Sequence, residues 1–236
     1  MLMFAEKLHN TLCAAVGRII MPAVAILLSS ASAQAGHVTI DAAGMNAIFS
    51  QPSFADTPIS IRFNPTVQIV APQLLVINTL ADLQALYSLA PDPAPTVDAF
   101  FVDQLNACGI VEPTNSGHYN GCAQFPGNFL VEDSTAAELY PAELMGHELG
   151  HNLDLGHIPL GLMTSNLGFG DGFSLFDFQV ATILQSPLVQ TDSTGQRFIE
   201  ITPIEIVGTP EPSTLLLLSA ALGALLIIKK KKSTGT

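Results

Sequence analysis

The chain has 236 residues and a net charge of −12, enough for one ordinary domain with additional segments. Between Gly36 and Gly208 only two basic residues, Arg62 and Arg197, stand against eighteen acidic ones. Phosphate backbones would be repelled, so nucleic acid is not an expected partner. The acidity reads as a solubility device, with a preference for cationic substrates as the lesser alternative.

Lys7 and Arg18 precede an apolar run at residues 19–28, and Ala33-Gln34-Ala35 offers a small-x-small cleavage site. Residues 1–35 therefore read as a secretory signal with Gly36 as the mature N-terminus. A retained anchor is the alternative, and the run is short for one. His37 then falls at a frayed end. Residues 59–63 alternate between Pro58 and Pro65 and predict a strand. Residues 67–77 hold two short apolar runs broken by Pro72, read as further strand or extended chain. Leucines at 80, 83, 86 and 89 predict a helix over 79–90, capped by Asn78 or Thr79. Residues 91–95 form a stiff Pro-rich loop, and 97–102 a mostly apolar, central strand. Residues 106–127, rich in Gly, Asn and Pro, read as loop with an edge strand near 121–124, followed by a short strand at 128–131. A helix follows, beginning near Ser134 or afresh at Pro141, which suits a first helical turn, and ending near Leu153. Ser174 and Asp177 resemble a capping box for a later helix over 174–186, and 197–207 alternates as one final strand. Strands with helices between and after them predict an α+β domain with a mixed sheet over residues 36–208.

Cys13 lies in the signal, so the mature chain keeps Cys108 and Cys122. An exported protein with two cysteines across a short loop is expected to bridge them; two reduced, buried thiols are the alternative.

Pro210-Glu211-Pro212 is followed by an uncharged run at 213–228 and then Lys229 to Lys232. At 1.5 Å per residue the run spans roughly 24 Å, enough for a thin bilayer. The lysines would stay cytoplasmic, with everything before Pro210 outside. Pro-Glu-Pro, short apolar helix and basic terminus together resemble the PEP-CTERM sorting signal over residues 209–236. That resemblance implies handling by an exosortase in a Gram-negative bacterium, after signal peptidase has removed the N-terminal segment. It implies a place at the cell envelope, outer surface or extracellular matrix, with a transient or retained membrane anchor. A plain tail anchor is the alternative.

The densest chemistry lies in His147-Glu148-Leu-Gly-His151-Asn-Leu-Asp154-Leu-Gly156-His157. Histidines four apart on a helix share one face, so His147 and His151 can offer nitrogens to one metal with Glu148 beside the open position. On a continuing helix His157 would lie about 240° around from His151. It can join them only if the helix stops near Leu153 and the chain turns back. The stretch resembles the zinc site of metzincin metalloproteases, in which a left-handed glycine makes that turn. Here Asp154 occupies the glycine position, and Gly156 lies close by to relax the turn. Asp visits the left-handed region more readily than most residues, at a cost of order 1 kcal/mol. Gly161-Leu-Met163-Thr resembles the same family's Met-turn, and Ser165 stands where some of its groups carry a ligating Tyr. The resemblance runs loosely from Ile59 to Ser186 and is specific between His147 and Met163.

The resemblance implies one catalytic Zn²⁺ on His147, His151 and His157, with Glu148 as general base in peptide hydrolysis. It implies a polypeptide substrate held along the edge strand. Residues 158–164 are expected to wall the pocket beyond the scissile bond with apolar side chains. His118, in the loop before the edge strand, is a solvated histidine or a substrate contact. Asp154 is a substitute ligand if His157 faces away. The Gly168 to Gly172 run with Asp171 is a turn or, more weakly, a Ca²⁺ site. The sequence thus points to an exported zinc endopeptidase; a non-catalytic surface or matrix protein that keeps the fold is the alternative.

Overall fold

The computed structural model describes residues 36–109, 118–165 and 172–208. The expected signal and sorting segments, and the glycine run up to Asp171, lie outside the described residues. Among the described residues no helix is long and apolar enough to cross a membrane.

The elements run, in order, α1 (Ala42–Ile48), β1 (Ile59–Phe63), β2 (Val67–Val70), β3 (Val76–Ile77), α2 (Leu80–Tyr87), β4 (Val97–Val102), β5 (Gln104–Leu105), β6 (Gly121–Ala123), β7 (Phe129–Asp133), α3 (Ser134–Leu139), α4 (Pro141–Asn152), α5 (Asp177–Ile183), β8 (Gln190–Thr191) and β9 (Arg197–Val207). A seven-stranded mixed sheet orders its main path β1-β9-β4-β7-β6, with β2 and β8 also paired to β9. The pairings of β9 with β1, β2 and β4 and of β4 with β7 are parallel. The edge pair β6–β7 is antiparallel.

β4 is buried along its whole length, as its apolar run requires of a strand covered on both faces. One face carries Ala99, Phe101 and Leu130, packed against Met45 of α1, Leu144, Met145 and Leu149 of α4, and Val180 and Ile183 of α5. The other carries Phe100, Val102 and Val131 against Leu83 and Leu86 of α2. The expected strand at 128–131 is shifted to Phe129–Asp133. The final strand is no appendage: β9 lies between β1 and β4, so the sheet is closed by the last segment of the domain.

Two local expectations need correction. His37 is not at a frayed end. Gly36 N–H donates to Ile206 O at 3.0 Å, and His37 N–H donates to Ser134 Oγ at 3.0 Å, so the segment is tied across β9 and α3. The later helix begins at Asp177, not Ser174: Gln179 Oε1 accepts the Phe176 N–H at 3.0 Å and supplies the cap. The helix α1 had no sequence reading; Asp41 caps it by accepting from Gly44 N–H at 2.8 Å.

Asp98 on β4 is fully buried, and neither carboxyl oxygen makes a hydrogen bond among the described residues. Burial, then the charge of Asp92, pushes it up to about 7. An unfolded Asp titrates near 4, so between about pH 4 and pH 7 the folded state holds the extra proton. Stability from this group is therefore full below pH 4 and falls as pH rises to about 7. Asp98→Asn should remove that fall and leave the variant about 1–3 kcal/mol more stable than the wild type at pH 8. Denaturant midpoints measured from pH 4 to 8 check this; a difference that does not grow with pH would count against it.

Cys108 and Cys122 are joined by a disulfide, with Cα atoms 5.5 Å apart across a separation of 14 residues. The bridge ties β6 to the chain leaving β5. By loop-closure entropy it contributes about 3 kcal/mol. Cys108→Ser with Cys122→Ser should lose about that much in urea unfolding.

Candidate metal centre

α4 exists where it does because of its ends. Pro141 occupies its first turn and has no N–H to continue α3, so both of the starts anticipated from the sequence occur. α3 begins under Asp133, whose carboxylate accepts from Thr135 and Ala136 N–H at 3.0 Å each. Ten of the twelve residues of α4 are buried, and Gly150 lets it approach the following turn. A Cβ there would overlap the Met163 sulfur, so fully buried Met163 packs directly beneath the helix.

The helix stops at Leu153 and the chain reverses at Asp154, whose φ is 70°. Leu155 N–H donates to Gly150 O at 2.9 Å and Asp154 N–H to His151 O at 3.0 Å. These are the two hydrogen bonds of a Schellman C-cap, with buried Leu155 as its apolar contact. Asp154 thus takes the left-handed position that glycine fills at least cost. Asp154→Gly should raise stability by about 1 kcal/mol, read as a higher urea midpoint; a fall would mean that the Asp side chain supports the turn.

The reversal brings His157 back. Its Nε2 lies 3.2 Å from His147 Nε2 and 3.1 Å from His151 Nε2. One nitrogen from each of the three lies within 4.8 Å of the others. The outer nitrogens are committed: His147 Nδ1–H donates to Leu162 O at 2.7 Å and His151 Nδ1–H to Leu155 O at 2.8 Å. Carbonyls only accept, so both inner Nε2 atoms carry bare lone pairs aimed at the same place. His157 Nε2 faces both of them, so either its N–H or a metal ion held among the three satisfies these lone pairs. The spacing also fits, because two nitrogens tetrahedrally placed at 2.0–2.1 Å from zinc lie roughly 3.3 Å apart. Burial lowers His147 to about 4, the Leu162 carbonyl opposing and the other two histidines assisting, and burial lowers His151 as well. Both are neutral at pH 7, the form that binds a metal. The three histidines can therefore hold a metal ion.

The site opens into a cavity of about 560 Å³ lined by His147, Glu148, His151 and His157, by Gly121 to Ala123 of β6, and by Thr164 and Ser165. Glu148 is almost fully buried, and burial pushes it up to about 8. His118 sits exposed on the rim, 3.1 Å from the Gln104 side chain. Asp154 is exposed and outside the histidine cluster, since His157 converges instead. The expected apolar wall is corrected: of residues 158–164 only Thr164 lines the cavity, because Leu162 and Met163 turn into the core.

The sequence reading did not identify the carbonyls of Leu155 and Leu162, which orient two histidines, since any residue supplies a carbonyl. It also passed over Phe125, whose ring meets His151 edge-on at 5.9 Å, and Glu132, fully buried on β7. The glutamate at a core-facing strand position was the one legible sign among these. No family model matches the chain, and no curated protein or solved structure matches it either.

Proposed function

We propose that the chain is a zinc-dependent endopeptidase of metzincin type, exported and sorted to the cell surface. The observation that carries this reading is the convergence of His147, His151 and His157 on one point, with Glu148 in the wall of the same cavity. His147, His151 and His157 would hold the ion. Zinc, if held there, would supply a Lewis acid that polarises a substrate carbonyl and lowers the pKa of a neighbouring water. Glu148 takes the proton of the attacking water and returns it to the leaving amine. The β6 strand pairs with β7 on one side and lines the cavity, so its outer edge can receive an extended peptide by strand addition. Polypeptide is the substrate class that such an edge selects. Export and sorting rest on the residue patterns of 1–35 and 209–236 alone.

The purified chain should contain one zinc per molecule and cleave an unfolded polypeptide. A chelator should abolish cleavage, and added zinc should restore it. Absence of zinc would overturn the reading. Zinc without cleavage would replace it with a binding protein that uses the same edge. The N-terminal mass of secreted material tests processing before Gly36.

A further inference from the structure

A polar patch stands in the otherwise apolar layer between α2 and the sheet. On β4, Phe100 and Val102 face the α2 cluster, so Asp98 faces it as well. Thr202 is its partner across the β4–β9 ladder and shares that face with Ile204 and Ile206. Adjacent strands lie about 4.8 Å apart, so the Asp98 carboxyl and the Thr202 hydroxyl are neighbours. Two further side chains close on the hydroxyl. It donates to Asp92 Oδ2 at 2.7 Å and accepts from Asn64 Nδ2 at 3.0 Å. Asp92 belongs to the Pro-rich loop after α2, and Asn64 directly follows β1. Asp92 is also near enough for its charge to act on the Asp98 carboxyl. Asp98 and Thr202 form a buried floor, and the half-buried Asp92 and Asn64 form its mouth.

The floor has a carboxyl group with nothing to satisfy it. Asp98 is fully buried, and neither of its oxygens makes a hydrogen bond among the described residues. An ionised carboxylate in such a place needs a cation beside it. Between Gly36 and Gly208 the only basic residues are Arg62 and Arg197. Arg62 is committed elsewhere, bound to Asp192 at 2.6 Å and lying over the Phe198 ring at 3.9 Å. Arg197 stands five residues before Thr202, roughly 16 Å along the strand, beyond the reach of its side chain. The donors gathered here are two carboxylates and a hydroxyl, all hard oxygens, which suit a hard divalent cation rather than a transition metal. Groups of unequal reach at a half-open mouth fit the pliable coordination of calcium, with water completing the shell, better than the strict octahedron of magnesium.

We infer that Asp92, Asp98 and Thr202 form a calcium site, separate from the three histidines, in which the ion fastens the loop after α2 to the central strands β4 and β9. The site stands independently of the peptidase reading, since none of its residues lines the histidine cavity.

Equilibrium dialysis of the zinc-loaded chain against radioactive calcium tests it. The wild type should take up one calcium per chain, half-saturating between about 0.1 and 1 mM as extracellular sites do. Asp98→Asn and Asp92→Asn each remove one charge at constant shape, and each should weaken binding at least about tenfold. Both variants should fold, since Asn64 and Thr202 keep their contacts and Asp98→Asn relieves a buried charge. Millimolar calcium should raise the urea midpoint of the wild type and leave that of either variant unmoved. No calcium on the wild type, or wild-type affinity in either variant, would overturn the inference. Displacement of the calcium by an equal concentration of magnesium would overturn the choice of ion.

Discussion

Glu148→Ala is expected to lower kcat/KM by about 10²- to 10⁴-fold while zinc content stays at the wild-type level. The first half follows from what a positioned proton carrier supplies in hydrolysis. The second follows from the geometry: the three histidine nitrogens meet without Glu148, and their outer nitrogens are held by Leu155 and Leu162 carbonyls that the substitution does not touch. Truncation also removes a buried carboxyl held up to about 8 by desolvation, so the fold should be no less stable near neutral pH. Metal analysis, thermal unfolding and peptide hydrolysis on one preparation separate these effects. Loss of zinc in parallel with activity would show that Glu148 supports the metal site instead of acting on substrate. Unchanged hydrolysis would remove it from the chemistry.

His157→Ala is expected to weaken zinc binding by more than about 100-fold, the upper end of what loss of a mere outer partner costs. His157 is exposed, unlike His147, and no helix carries it. What places it is the reversal at Asp154, so the two positions act as a unit. With His157 gone, two neutral nitrogens remain, and a two-ligand site competes poorly with water. Stability of the metal-free fold should barely change, because an exposed loop side chain contributes little to packing. Competition with a chromophoric chelator gives the affinity directly. Wild-type affinity in His157→Ala would mean that the convergence at 3.1–3.2 Å plays no part in holding the metal.

Much of the site was readable because its chemistry is local. The four-residue step from His147 to His151 is close to one helical turn, and Glu148 lies between them, so the sequence placed all three on one helix. Pro141 marked a helix start for a reason that depends on neighbouring residues alone, whereas the Asp133 cap of the helix that starts at Ser134 was not read from the sequence. The strand Ile59–Phe63 and the helix Leu80–Tyr87 followed from alternation and from leucine spacing, with Asn78 or Thr79 as the cap, of which the structure uses Thr79. The start of the helix at Asp177 was misplaced because the capping acceptor is a glutamine inside the first turn, not the serine before it.

By itself, the sequence determined the type and approximate extent of most elements, the bias of the two ends, and the identity of the three histidines that can hold a metal ion. These rest on periodicities and caps whose energies act over a few residues. Only the tertiary structure decided where β9 goes, since its alternation names a strand but not the partners it inserts between. Only it decided that Asp154 adopts a φ of 70°. The sequence shows that Asp tolerates that conformation at modest cost; the packing of Leu155 and the two hydrogen bonds of the cap are what select it. The pairing of Asp98 with Thr202 depended likewise on strand register. Register is set by burial across the whole sheet and cannot be read from either strand alone.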